Sequence, residues 1–285
     1  MLKVLLARAR QGHRTARYPA KPPALPDRFR GVPVIDREKC QKGCEDCARS
    51  CPTKAIAIEG GAPVLDLGAC IYCDECAQAC PQGAISWSAE HHLAARSRED
   101  LFLRGPFAER TAEMAAGLKK LFGRSFKLRQ VSAGGCAACE ADVNVLGTVV
   151  FDLGRFGIQM VASPRHADGI LVTGPVSTNM RVALQKTYDA IPAPKVVIAT
   201  GACAISGGPM RGMPEVAGGA DKVVPVDLYI PGCPPHPYVI LDGLLRLLGR
   251  GEKRGQAVQL GTGNVRPMVH GEEQKAPAAA SAQKG

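Results

Sequence analysis

The chain is poor in aromatic side chains, with one tryptophan in 285 residues. Its basic residues are nowhere interleaved with aromatics, as a groove for single-stranded nucleic acid requires. Nucleic acid is therefore not an expected partner, although the formal charge is +10. No stretch approaches the ~18 consecutive apolar residues of a membrane span. The first ten residues carry too much charge for a secretory segment, and no small-residue cleavage site follows them. The expectation is a cytoplasmic chain, soluble by itself. No Gly-x-Gly-x-x-Gly follows a predicted strand, and Gly207-Gly208 reads as a loop, so neither NAD nor flavin is expected to bind directly. With 46% apolar residues, a core for one large or two modest domains is available.

Cysteine, by contrast, is abundant, at twelve residues. Without an export signal, metal ligation is the expectation and disulfides are not. The first ninety residues contain a repeat. Pro33-Val34-Ile35-Asp36 recurs as Pro63-Val64-Leu65-Asp66, and Cys44, Cys47 and Cys51 recur as Cys73, Cys76 and Cys80. Each copy reads as strand, cysteine-rich loop, short helix, strand. The second copy, Cys70-x2-Cys73-x2-Cys76-x3-Cys80-Pro81, has the spacing of bacterial two-cluster ferredoxins, in which the fourth cysteine crosses to the other cluster. Cys70, Cys73, Cys76 and Cys51 are thus expected to hold one [4Fe–4S] cluster, and Cys40, Cys44, Cys47 and Cys80 its twin. The first copy has three residues between Cys40 and Cys44, and Gly43 is the residue expected to absorb the extra one as a bulge. Structural zinc also uses C-x2-C pairs. The two Cys-Pro endings and the repeat favour clusters.

From about residue 125 the pattern alternates between strands and helices. Strands are expected at 127–131, 159–162, 170–173, 196–199 and 223–228, with helices at 141–153, 179–190 and 239–248. This alternation predicts an α/β, flavodoxin-like parallel sheet covered on both faces, following the α+β, ferredoxin-like two-cluster domain. Sites in such sheets form beyond the carboxyl ends of the strands. Cys136 and Cys139, Cys203 and Cys233 follow the first, fourth and fifth strands, each beside glycine or proline. Twelve cysteines make three sets of four, hence three clusters. At about −2 per ligated cluster they would bring the net charge to about +4.

These motifs resemble known families. Residues 13–104 resemble the ferredoxin-like subunit of formate hydrogenlyase and its complex I relatives, on Gly12, Thr15, Tyr18-Pro19, Phe29-Arg30-Gly31 and both cysteine motifs. Residues 125–250 are similar to the small subunit that bears the terminal cluster in complex I (the B-type subunit of NADH-quinone oxidoreductase) and in energy-converting NiFe hydrogenases. The matches are Gly135-Cys136-x-x-Cys139-Glu140, Ser163-Pro164-Arg165-His166-Ala167-Asp168, Gly201-x-Cys203, and the run from Val224-Pro225 to Gly232-Cys233-Pro234-Pro235. Two subunits that are usually separate are here fused. The resemblance implies an electron relay that is not catalytic alone. It would serve a large subunit holding a NiFe centre or shaping a quinone pocket, beside membrane-embedded subunits on the inner face of the cell membrane. Cys136-Ala137-Ala138-Cys139 has the hydrogenase spacing. The alternatives are a quinone-reducing subunit of the NADH-quinone oxidoreductase kind and a free soluble polyferredoxin.

Glu140 matches a carboxylate beside the terminal cluster in the hydrogenase branch, where it would pass protons; it also reads as an acid favoured by a helix N-terminus. Arg165 and Asp168 read either as a pair tuning that cluster or as an ion pair holding a turn. His166 and His236 lie near loop mouths whose ligand count is complete without them, and Trp87 reads as hairpin packing. The expected organisation is a basic arm (1–32), the two-cluster domain (33–90), a helical linker (91–124, its helix over 107–122), the sheet domain (125–250) and a disordered tail (251–285). The arm puts Leu2, Leu5 and Leu6 on one face, to lie on a membrane surface or a membrane-embedded partner, or else to remain a frayed terminus.

Overall fold

The computed structural model describes residues 2–105, 116–251 and 265–266. In chain order the first half contains α1 (Leu2–Gln11), β1 (Pro33–Ile35), α2 (Asp46–Arg49), β2 (Ile56–Glu59), β3 (Ala62–Asp66), α3 (Glu75–Gln78), β4 (Ile85–Ser88) and β5 (Phe102–Leu103). The second half contains α4 (Ala116–Phe122), β6 (Phe126–Ser132), α5 (Ala138–Val145), β7 (Ile158–Met160), β8 (Gly169–Thr173), α6 (Thr178–Ala190), β9 (Val196–Thr200), α7 (Ala202–Ser206), β10 (Leu228–Ile230), α8 (Pro237–Leu247) and β11 (Val265–Arg266).

The repeat is visible in space. β1 pairs antiparallel with β4, and β2 with β3, so each small sheet draws on the repeat's strands. The β2–β3 hairpin turns at Gly60-Gly61, both with positive φ (58° and 79°), as a tight two-residue hairpin loop demands. α2 and α3 are single turns, each delivering one buried cysteine, Cys47 and Cys76. Pro52 and Pro81 follow soon after and cannot extend them. β11 pairs with the free edge of β4.

The second half is a five-stranded sheet in the order β10-β9-β8-β6-β7, with every neighbouring pair parallel. β8 and β9 are buried at every residue, as central parallel strands covered on both faces must be. α8 is buried along its whole length, Asp242 and Arg246 included. One core runs through both halves, taking in Val32, Leu67 and Leu101 together with Phe126, Ile198 and Leu241.

Two expectations need correction. The strand expected at 223–228 begins only at Leu228. Pro225 has no amide to give a ladder, and a 3-10 turn occupies Ala220–Lys222. The helix expected at 141–153 spans Ala138–Val145. Gly147 and the β-branched run Thr148-Val149-Val150 disfavour its continuation, and a 3-10 turn forms at Leu153–Phe156. The linker, with its helix expected over 107–122, opens without regular structure over 91–98. That stretch is irregular and buried through Ala95, which bridges to Tyr229 beside the sheet's edge. Of the expected helix 107–122, Ala116–Phe122 is helical, and 107–115 lie outside the described residues, as does the expected tail apart from 251 and 265–266.

Candidate functional site

Cys40, Cys44, Cys47 and Cys80 line one small cavity, together with the apolar side chains of Ile35, Pro63, Pro81 and Ile85. Burial pushes the Cys47 thiol up, and the charges of Cys40, Cys44 and Cys80 push it further. Gly43, at φ 79° with open space around it, takes up the extra residue, so Cys40 reaches the cavity.

The second group is Cys70, Cys73, Cys76 and Cys51. The Cys70 thiol is pushed far up by burial, then by Cys76, Cys51 and Cys73. Cys76 rises to about 12 through burial, then through Cys51 and Cys73. Each of these two groups thus draws its fourth thiol from the other repeat copy. Backbone amides donate to sulfur at Cys51 (Ala55 N, 3.2 Å), Cys70 (Tyr72 N, 3.4 Å) and Cys80 (Ala84 N, 3.3 Å). Such bonds stabilise a thiolate and tune a cluster's potential.

The third group gathers beyond the carboxyl ends of β6, β9 and β10. The Cys139 thiol is pushed up to about 12 by burial, then by Cys203, Glu140, Cys233 and Cys136. Cys203 rises to about 11 through burial, then Cys233 and Cys136. The space between chain and sulfur is minimal: a Cβ on Gly201 would lie 2.6 Å from Cys139 Sγ, and one on Gly208 2.8 Å from Cys203 Sγ. Glu140, in the first turn of α5, accepts from Ser132 Oγ (2.5 Å) and Thr173 Oγ1 (2.7 Å). Burial pushes its carboxyl up, but these two donors outweigh that and hold it below its ordinary value.

The second group lies close to both of the others. After burial and its own group, Cys76 is raised by Cys47 of the first group. After burial and Cys136, Cys233 is raised by Cys73 of the second.

The spacing of the thiols discriminates between metals. Four thiolates on one zinc ion, each at about 2.3 Å, sit roughly 3.8 Å apart. Among the described residues, three or more metal-ligating side chains with donor atoms within 4.8 Å of one another occur at Glu90, His91 and His92, and in none of the cysteine groups. The thiols of each described group are thus spaced more widely than the ~3.8 Å of four thiolates on one zinc ion.

Other candidates lie elsewhere. Asp168 precedes β8, level with the amino half of β6, so most of the strand's length separates it from the thiol rim. Its carboxylate accepts from Lys127 N (2.7 Å), and Arg165 and His166 lie apart from the thiols on the surface. Asp168 also accepts from Val196 N on its backbone carbonyl, so it joins the starts of β6 and β9. His236 caps α8, its Nδ1 accepting from Tyr238 N, and burial lowers its pKa. Trp87 packs against Tyr72 as expected of the hairpin region, and also donates Nε1–H to Asp74 Oδ1 (2.5 Å). Sequence reasoning missed the buried polar cluster of Tyr18, Glu90, His91, His92 and Asp242. Its signals were the Glu-His-His run and a lone acid in an apolar helix.

Comparison with known proteins agrees with this arrangement. The family "NADH ubiquinone oxidoreductase, 20 Kd subunit" matches residues 136–247, spanning all four cysteines of the third group. A "4Fe-4S dicluster domain" matches residues 32–91, spanning the other eight. Formate hydrogenlyase subunit 7 of Escherichia coli (strain K12) is 42% identical over 166 residues, 58% of this chain and 65% of that protein. The "probable membrane-bound hydrogenase subunit mbhJ" of Pyrococcus furiosus is 38% identical over 58% of this chain and 95% of its own length. The B-type subunit of NADH-quinone oxidoreductase from Heliobacterium modesticaldum is 45% identical over 40% of this chain and 65% of that protein. The chain belongs to the NADH ubiquinone oxidoreductase 20 kDa subunit family, with a 4Fe-4S dicluster domain joined to its amino side.

Proposed function

We propose that this chain is the electron-relay subunit of a membrane-associated oxidoreductase, carrying three [4Fe–4S] clusters on its twelve cysteines. The observation that carries the proposal is the grouping of the thiols into three sets of four, each adjoining the next. Cys40, Cys44, Cys47 and Cys80 would hold the first cluster, Cys70, Cys73, Cys76 and Cys51 the second, and Cys136, Cys139, Cys203 and Cys233 the third. The clusters supply one-electron storage. The chain supplies amide donors to sulfur, a dry setting, and in Glu140 a carboxylate that two hydroxyls keep ionised beside the third group. The strand order supports a flavodoxin-like sheet domain over 125–250, and the paired repeat a ferredoxin-like domain over 33–90.

The third group opens on an exposed rim, with Cys136 and Cys233 accessible. This favours a large catalytic subunit docked there over a free polyferredoxin, which needs no such rim. The Cys136-x-x-Cys139 spacing favours a hydrogenase-type partner. The similarity to the B-type subunit of NADH-quinone oxidoreductase supports a quinone-reducing one as the second reading. Among the described residues no helix is long and apolar enough to cross a membrane, so attachment to the inner face would run through partner subunits.

Protein purified without oxygen is expected to contain about twelve iron and twelve sulfide per chain. About eight, with Cys203 or Cys233 open to alkylation, would remove the third cluster. Zinc in place of iron would overturn the whole reading.

A further inference from the structure

The segment 90–98 leaves β4, crosses to the sheet half, and returns toward β5. Its first part meets α8 through buried charge. His92 Nε2 lies 3.6 Å from Asp242 Oδ1, and its Nδ1 contacts the Glu90 carboxylate, which also accepts from His92 N at 2.9 Å. Asp242 further accepts from Tyr18 OH (2.7 Å) and pairs with Arg246 (3.5 Å). Asp242 is wholly excluded from solvent, and His92 is 2% exposed.

The next residues hold the strand that leads into Cys233. Ala95 exchanges both backbone hydrogen bonds with Tyr229 (3.0 and 2.8 Å), and Arg96 Nε donates to Asp227 O (3.1 Å). Arg98 then forks onto Asp66, Nη1 to Oδ1 at 2.7 Å and Nη2 to Oδ2 at 2.5 Å. Asp66 in turn receives Gly68 N on its carboxylate and Cys70 N on its carbonyl. One short segment is thus tied to the frame of Cys233 at one end and to the loop of Cys70 and Cys73 at the other. Apolar packing is non-directional and tolerates sliding, whereas buried paired charges and a bidentate fork accept one register.

We propose that Glu90, His92 and Arg98, with Asp242, are positioning residues that fix the separation of the second and third cysteine groups, and so the ease of electron passage across the seam. The inference rests on the relay reading. It adds that the junction residues, and not the ligands alone, set the coupling between clusters.

The test uses the full chain with its clusters, purified without oxygen, as wild type and as Asp242→Asn, Arg98→Gln, Arg98→Lys and Tyr18→Phe. Leu184→Ala, a cavity in α6 away from the seam, serves as the control for general loosening. Iron content and the magnetic interaction between clusters in the reduced electron paramagnetic resonance spectrum are read together with the rate of transfer between the two clusters. Asp242→Asn and Arg98→Gln should keep all their iron, weaken the interaction and slow transfer by about tenfold to a hundredfold, the upper end being the cost of a ~1 Å misplacement of reacting groups. Arg98→Lys, keeping charge without the fork, should recover only part of the loss. Should Asp242→Asn fail to fold, Tyr18→Phe removes a single hydroxyl and should weaken the interaction more than Leu184→Ala does. Unchanged coupling in the seam variants at full iron, or an equal loss in Leu184→Ala, overturns the proposal. A wild type with about eight iron instead fails the relay reading itself.

Discussion

Around the third cysteine group, single atoms decide what the site can accept. Gly201 has φ 90°, and a methyl at its Cα would stand 2.6 Å from Cys139 Sγ. Alanine there meets both a backbone region open almost only to glycine, costing about 1–3 kcal/mol, and a sulfur 2.6 Å from its Cβ. Gly201→Ala is therefore expected to lose the third cluster while leaving the other two, taking iron from about twelve to about eight per chain. Iron analysis together with the spectra of the first two clusters checks this; full iron in the variant would refute it. The thiols themselves explain why such small intrusions matter. Burial pushes Cys139 to about 12 and Cys203 to about 11, so without a cation they stay protonated at neutral pH. Only a strongly positive body in contact with all four can draw those protons off.

Among the elements, the one-turn helices α2 and α3 do the work of exchange. Each carries its cysteine into one group and then, through the turn that follows, sends the next cysteine to the other. The exchange is legible at Cys70, whose neighbours include Cys51, and in the cavity that unites Cys80 with Cys40. Cys51→Ser should accordingly alter the spectroscopic signature of the cluster assigned to Cys70, Cys73 and Cys76, and Cys44→Ser that of its twin. Identical signatures for the two variants would refute the crossing. The elements least legible in sequence were those that tertiary context overrode. Residues 223–228 are rich in β-branched residues, yet Pro225 and a 3-10 turn delay the strand to Leu228. The apolar stretch 146–153 prolongs a helical pattern that Gly147 interrupts.

Across the whole molecule, the second cysteine group adjoins both others, and the third opens on a rim where Cys136 and Cys233 are exposed. On the proposed relay all twelve cysteines would serve electron storage, which would leave none to hold a NiFe centre. The chain alone should accept electrons from a strong reductant but neither evolve hydrogen nor reduce quinone at enzymatic rates. Ala137 is exposed on the rim beside Cys136. Ala137→Trp should leave iron unchanged while making association with a co-expressed large subunit weaker, to the extent of about tenfold or more, the scale of a blocked contact at an interface centre. Co-purification and titration would measure it. Robust turnover by the single chain would overturn the assignment.

The amino-acid sequence by itself determined how the thiols gather. Cysteine spacing is a local property, and a loop of x2 steps ending in Cys-Pro can present its thiols in few ways, so the repeat and its crossing could be read without a fold. The alternation of apolar runs likewise specified a parallel sheet, since strands buried on both faces must be apolar throughout. Only the tertiary structure decided which segments hold the two halves together. Residues 91–98 lack helical or strand periodicity because their partners, Asp242, Tyr229 and Asp66, lie at least 32 residues away along the chain. A buried charge takes its meaning from the charge opposite, and that juxtaposition exists only once the chain has closed upon itself.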